Sequence, residues 1–230
     1  MQLRTLGLAL LASSAALGAC DNRSNVTGVN ANNATIQFIN ATTASLDVAQ
    51  GGAVATGNGA LSFGTTSLCI AADASNSNLA VRLTGTSTAL PGFTPAFQAG
   101  GNYSVIAYPG PAATTQFATL SNAFTPASGQ GGMRVFNAAG PGTSYDIYVS
   151  APGASSATSV ANNVGFGSGS SYFNVPAGST QQVRVTNAGT QPVVLDAGNR
   201  TFTAGQNVTL VIAPPLTGSP APRAFYATGC

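Results

Sequence analysis

The stretch Met133–Val149, MRVFNAAGPGTSYDIYV, decides the fold of this chain. A run of β-branched and aromatic residues ends at Asn137-Ala138, a Gly-Pro-Gly segment interrupts it, and a second run surrounds Asp146. Apolar and polar residues alternate in the second run, which is typical of a β-strand with one buried face. Gly and Pro favour turns. The stretch therefore predicts two successive strands separated by a turn.

The same pattern is written a second time in the chain. Phe38-Ile39-Asn40-Ala41 matches Val135-Phe136-Asn137-Ala138, which lies 97 residues later. Blocks recurring in one order indicate an internal repeat. The other matched blocks are Leu46–Val48 with Tyr145–Ile147, Phe63-Gly64 with Phe166-Gly167, Val81–Thr84 with Val183–Thr186, Phe97–Asn102 with Phe202–Asn207, and Val105–Ala107 with Val211–Ala213.

The rest of the chain favours an all-β fold in two tandem units. Short strand-like runs alternate with Gly, Ser, Asn and Pro clusters, and no stretch keeps a helical period. Each unit has the length and strand rhythm of an immunoglobulin-like antiparallel β-sandwich. We expect a signal peptide at 1–19, a flexible tether at 20–33, β domains at 34–123 and 133–230, and a Pro- and Gly-containing linker at 124–132.

Two aspartates and two arginines occupy equivalent places in the repeat. A period of two turns Asp47 and Asp146 outward in their strands and Arg82 outward in its own. We predict a cross-strand ion pair between Asp47 and Arg82 and another between Asp146 and Arg184; the alternative is that each side chain is separately solvated. The same period predicts inward side chains for Leu46, Val48, Val81, Leu83, Tyr145 and Ile147.

The composition argues against catalysis. Charged residues make up only 5% of the chain, all as Asp and Arg, with no Lys, Glu, His or Trp. Without histidine there is no imidazole base and no common zinc site. The isolated aspartates lack calcium-ligand spacing, and a net charge of +2 with scattered arginines argues against nucleic acid as a partner. We expect no enzyme, no cofactor and no metal site.

The N-terminus predicts export and lipid anchoring. Arg4 precedes the apolar run Leu6–Leu17, which as a helix would span about 18 Å, too short for a bilayer core of about 30 Å. This is typical of a signal peptide. Leu17-Gly18-Ala19-Cys20 resembles the lipobox of bacterial lipoproteins, and that resemblance implies acyl chains on Cys20. The alternative is an ordinary signal peptide with Cys20 left over.

Lipid on Cys20 implies the bacterial cell envelope. Two or three acyl chains suffice for stable attachment to a membrane. The outer membrane is the first expectation. The inner membrane is the second, because Asp21 follows the cysteine and resembles a retention signal of some bacteria.

The repeated motifs resemble a known family. They are the Phe/Val-x-Asn-Ala strand, the aspartate-bearing strand, Phe-Gly, Val175-Pro176-Ala177-Gly178 and Phe-x-Ala-Gly-x. The chain is similar in these to domain of unknown function 4397, an Ig-like module of bacterial envelope proteins. The first unit departs from the pattern, with Ile70-Ala71-Ala72-Asp73 in place of Val-Pro-Ala-Gly. The resemblance implies fold and location and brings no catalytic residues.

Two cysteines remain after Cys20. An exported chain with two cysteines favours a disulfide. Leu68 and Ile70 are expected to face the core, which leaves Cys69 outward and able to pair with Cys230. The alternative is two free or separately buried thiols.

Tyr148 and Tyr172 are candidates for stacking on a sugar, because their strand neighbours claim the inward face. Tyr148 could instead pack between the domains.

The sequence thus predicts a lipid-anchored envelope protein acting as a structural, adhesive or scaffolding module. A binding protein for a glycan or small molecule is the alternative, and an envelope hydrolase comes third. Partners beyond the membrane stay open, whether envelope protein or glycan.

Overall fold

The computed structural model of the chain describes residues 32–75, 77–216 and 218–230. The predicted signal peptide, Cys20 and most of the tether lie outside this part, and the first strand begins at Asn33. Fifteen β-strands and one 3₁₀ turn form the regular structure of the described residues. The predicted all-β class is confirmed. Among the described residues, no helix has the length and apolarity needed to cross a membrane.

The first sandwich consists of seven strands. The strands are β1 (Asn33–Asn40), β2 (Leu46–Gln50), β3 (Ala53–Val54), β4 (Ile70–Asp73), β5 (Leu79–Leu83), β6 (Asn102–Pro109) and β7 (Thr115–Ser121), with the 3₁₀ turn at Pro111–Ala113. One sheet has the order β4-β1-β6-β7 and the other β3-β2-β5. β1 and β6 run parallel at the centre of their sheet, while the other pairs are antiparallel.

The second sandwich repeats this arrangement and adds a strand. The strands are β8 (Gln130–Asn137), β9 (Ser144–Ser150), β10 (Thr158–Gly165), β11 (Phe173–Pro176), β12 (Thr180–Asn187), β13 (Val193–Thr201), β14 (Asn207–Ala213) and β15 (Arg223–Thr228). The two sheets have the orders β11-β8-β14-β15 and β10-β9-β12-β13, again with a parallel central pair, β8 and β14.

The strand order differs from that of an immunoglobulin constant domain. There, strands A-B-E-D form one sheet and C-F-G the other. With the same lettering, the first sandwich reads D-A-F-G and C-B-E. The β-sandwich prediction is confirmed, whereas the immunoglobulin-like strand order is not. Short, alternating strands are common to both arrangements, so the sequence pattern could not separate them.

Each sandwich has its own core, and the alternation rule places most of it correctly. Val48, Val81 and Ile147 are fully or almost fully buried, as predicted. Leu83 and Leu68 were predicted inward but are 42% and 57% exposed. Leu83 ends β5, and Leu68 precedes β4, so neither is covered by the opposite sheet.

A third apolar cluster joins the two sandwiches. Ile39 and Ile106 of the first sandwich pack with Phe136 and Val211 of the second, and each is at most 1% exposed. These residues alternate along β1, β6, β8 and β14 with residues of the two sandwich cores, so all four strands are buried on both faces. The β4-β1-β6-β7 sheet therefore packs against the β11-β8-β14-β15 sheet at a junction between the sandwiches.

The predicted linker is shorter than expected. Of residues 124–132, Gln130, Gly131 and Gly132 belong to β8. Gly131 and Gly132 pair with β11, and a Cβ on Gly132 would clash with Asn207 Oδ1. These glycines permit close packing within a strand, rather than breaking it.

The register also corrects one block of the repeat. Phe38 pairs with Val105, and its counterpart Val135 pairs with Leu210 rather than Val211. The counterparts of Val105–Ala107 are thus Leu210–Ile212. A shift of one residue exchanges the two faces of a strand, and this correction places Ile106 and Val211 together at the junction.

Candidate binding groove

The repeated aspartates hold turns in place. The Asp47 carboxylate accepts hydrogen bonds from the Ala60 and Gly85 backbone N–H groups, at 2.6 and 3.2 Å, and from the Thr84 hydroxyl. Asp146 accepts from the backbone N–H groups of Asn163 (2.7 Å) and Gly189 (2.8 Å) in the same way.

Both aspartates are 7% exposed although their side chains were predicted to point to solvent. Turns cover the outward face of each strand at this point. The Ala60 N–H bond is the largest cause of a lowered pKa for Asp47; burial opposes it, and Gly85, Thr84 and the Arg82 charge add to it.

Backbone and hydroxyl hydrogen bonds take the place of the expected ion pairs. Arg82 lies opposite Asp47 in the register but donates to the Gly52 carbonyl at 3.0 Å. Arg184 lies opposite Tyr148 and donates to the Ser150 hydroxyl and the Ala154 carbonyl. A carboxylate that already accepts two backbone N–H groups is held by its turns and not by a cross-strand cation.

The phenylalanine of each repeated Phe-Gly motif packs against the other sandwich. The Phe63 ring meets Phe225 of the second sandwich at 5.3 Å, and the Arg223 guanidinium lies 3.9 Å above Phe63. Its counterpart Phe166 meets Tyr108 of the first sandwich at 5.5 Å. These reciprocal aromatic contacts seal the apolar side of the junction.

The Gly-x-Asn motif has a similar reciprocal role. Gly100 and Gly205 have φ of +73° and +76°, the left-handed backbone of tight turns. The asparagines two residues later reach beyond their own turns. Asn102 donates to the Cys230 carbonyl and Asn207 to the Phe124 carbonyl.

Arg134 fills a polar pocket on one side of the junction. Its side chain is 3% exposed and donates to Thr209 Oγ1, the Ser121 carbonyl and Asn122 Oδ1 at 2.9, 2.7 and 2.6 Å. The guanidinium also lies 4.6 Å above the Tyr172 ring. Burial lowers the pKa of Arg134, but the cation persists at physiological pH because guanidinium is a very weak acid. Neutral acceptors therefore hold this buried charge.

The two tyrosines that were predicted to stack on a sugar lie in different surroundings. The Tyr172 ring stacks on Phe124 at 5.1 Å, lies under Arg134 and has its pKa raised, chiefly by burial. Its faces are therefore engaged within the protein. Tyr148 lies on β9 of the outer sheet, away from the junction, and is half-buried beside Arg184.

A disulfide closes the other side of the junction. Cys69, just before β4, and Cys230, just after β15, are bonded with Cα atoms 6.0 Å apart. The predicted pairing is confirmed. The described residues include no group of three or more His, Cys, Asp and Glu side chains that could hold a metal ion.

A groove of about 1370 Å³ lies beside this disulfide, between the sandwiches. Its walls come from the start of β1, the segment 64–69, the turn before β6, residues 122–125 and the end of β15. No lining residue among those described carries a charged side chain. The polar lining consists of hydroxyls and amides, among them Thr35, Gln37, Ser67, Asn102, Asn122 and Thr228.

Gln37 is a buried polar side chain of this groove that lacks, among the described residues, a hydrogen-bond partner for its oxygen. It is 7% exposed, and Oε1 has no hydrogen-bond partner within the described protein. Neither Gln37 nor Arg134 was predicted from the sequence as a site residue. The signal that could have found them is the pair of apolar residues that follow on the supposedly solvent-facing side of the same strands, Ile39 and Phe136, which show that this side is buried.

The fold and the site together define the class of protein. It consists of two β-sandwiches that are joined by packing of one central sheet against the other. The family described as Domain of unknown function (DUF4397) matches residues 131–228, almost all of the second sandwich. A DUF4397 domain is therefore present in this chain, in agreement with the predicted resemblance. No curated protein matches the chain.

Proposed function

We propose that this chain is a non-catalytic, lipid-anchored protein of the bacterial cell envelope that acts as a structural, adhesive or scaffolding module. The observation that carries the proposal is the junction. A buried apolar cluster, the Arg134 hydrogen bonds and the Cys69–Cys230 disulfide all link the sandwiches. Such a body holds its outer surfaces at a fixed separation, as a scaffold requires.

The disulfide supports the exported location. Disulfides persist in oxidising compartments such as the bacterial periplasm and the cell surface. The Leu17–Cys20 lipobox pattern then gives a means of attachment. The strand-borne aspartates support a structural role, since Asp47 and Asp146 use their carboxylates to hold turns.

Attachment is tested by expressing the full chain and its Cys20→Ala variant in a Gram-negative host. We expect the wild type in the membrane fraction, with an intact mass equal to a chain starting at Cys20 plus acyl groups. The variant should be soluble. An unmodified, soluble wild type would overturn the lipid anchor.

The envelope role is tested by deleting the coding sequence in the source bacterium and measuring the entry of a large dye into cells. We expect increased entry that wild-type protein reverses and Cys20→Ala protein does not. Unchanged permeability and surface adhesion in the deletion strain would contradict a structural or adhesive role.

A further inference from the structure

We propose that the groove beside the disulfide is a binding site for a neutral, hydroxyl-rich ligand, a short segment of carbohydrate. The inference goes beyond the scaffolding role and starts from the near-symmetry of the junction. The two sandwiches face each other with equivalent strands, so each strand position on one side of the junction has an equivalent position on the other.

The groove is the counterpart of the pocket that Arg134 fills. The repeat that matches Phe38 with Val135 also matches Gln37 with Arg134. The register of the last strands matches Asn122 with Gly229. The strands β4 and β11 match Cys69 with Tyr172.

At each of these equivalent positions the side chain on the groove side of the junction is the smaller one. Glutamine is shorter than arginine, glycine has no side chain in place of asparagine, and cysteine is smaller than tyrosine. Gln37, Gly229 and Cys69 all line the groove. On one side of the junction side chains fill the pocket; on the other, equivalent backbone surrounds open space.

The unpaired side-chain oxygen of Gln37 indicates which ligand groups the groove would accept. An unpaired buried amide costs about 1–3 kcal/mol. In the described protein nothing hydrogen-bonds to its Oε1. Half a turn of the terminal amide exchanges oxygen and nitrogen, so Gln37 can meet a donor or an acceptor. A hydroxyl group is both.

The charge of the surroundings favours a neutral ligand. No side chain lining the groove among the described residues is charged, so an anion or a cation would enter without a side-chain counter-ion, at a high desolvation cost. A carbohydrate supplies many hydroxyls and no charge, and the volume exceeds the about 300–1,000 Å³ usual for drug-sized ligands, which leaves room for several sugar rings.

The test is a titration of the full mature, disulfide-bonded chain with cellotriose, mannotriose and tri-N-acetylchitotriose, and with trigalacturonate as the charged comparison. Binding is followed by calorimetry and by ¹H–¹⁵N NMR. We expect at least one neutral trisaccharide to bind saturably and to shift the side-chain amide signals of Gln37 and Asn102.

Two variants test the location. Gln37→Met keeps the side-chain length and removes the amide, and should weaken binding about fivefold. Gly229→Asn fills the groove from the opposite wall and should abolish binding; a Cβ at Gly229 has its nearest neighbour at 3.6 Å, an ordinary contact. Gln191→Met, at an exposed glutamine in the β12–β13 loop, is the matched control and should bind like the wild type.

Several results would overturn the proposal. They are no saturable binding of any neutral trisaccharide, tighter binding of trigalacturonate, or binding that both groove variants leave unchanged. NMR contacts between Gln37 and residues 21–31 that the sugars do not displace would show instead that the chain occupies its own groove.

Discussion

Replacing Phe136 with alanine tests whether the two sandwiches unfold as one cooperative unit. Phe136 is fully buried at the centre of the junction cluster, and its ring meets the Tyr108 ring of the first sandwich at 5.3 Å and 69°. It lies on β8, a strand of the second sandwich, but its side chain packs in the junction cluster. Truncation therefore removes contacts between the sandwiches and leaves both separate cores complete.

The expected cost follows from burial. Truncating a buried phenylalanine to alanine costs about 3–5 kcal/mol, through lost transfer free energy and the cavity left behind. For a chain of this size that corresponds to a fall in Tm of roughly 6–20 °C. Leu68→Ala, at a residue that is 57% exposed, should change stability by less than about 0.5 kcal/mol.

The assay is native-state hydrogen exchange, with the disulfide intact. In the wild type, the slowest amides of β1 and β6 should report the same free energy of unfolding as those of β8 and β14. Phe136→Ala should lower both sets equally. A loss confined to one sandwich, or a cost below about 1 kcal/mol, would refute the shared junction core as a source of stability.

Three further predictions concern the polar and covalent links. Replacing Cys69 and Cys230 with serine opens a loop with a sequence separation of 161 and should cost up to about 5 kcal/mol, seen as a lower Tm; a Tm unaffected by reductant would contradict this. Asp47→Asn should cost about 1.5–3 kcal/mol. Because the folded pKa of Asp47 is lowered, its stabilisation is present above the unfolded pKa and lost as pH falls through the folded pKa. The variant should lack that part of the acid dependence in urea unfolding, and an unchanged slope would disprove it. Arg134→Lys keeps the charge but loses the directed hydrogen bonds, and should destabilise by about 1–3 kcal/mol, whereas Arg82→Lys, at a partly exposed residue, should stay within about 0.5 kcal/mol; equal effects would count against the Arg134 pocket.

Local pattern was enough for the strands and for much of the cores. The alternation around Tyr145 and Ile147 predicted their burial. The disulfide also followed from the number of cysteines and the predicted export. These features depend on chain-local geometry or on simple counting, both of which are legible in one sequence.

The roles of the polar residues were less accessible. Asp47 was expected in an ion pair because its cross-strand neighbour Arg82 was easy to identify, yet turn amides from Ala60 and Gly85 reach it first. Tyr172 was expected at the surface, but Phe124 stacks on it. In each case the deciding partner comes from a loop whose path the alternation of residues does not specify.

The sequence by itself determined an all-β chain, its internal repeat and most of the apolar side chains buried within each sandwich, because a period of two assigns faces wherever one face is buried. Only the tertiary structure decided the strand order, the third core between the sandwiches and the groove beside Gln37. These features depend on packing between segments that are distant in the sequence. Filling one pocket with Arg134 and leaving its counterpart open depends on which side chains meet across the junction, and that meeting exists only in the folded chain.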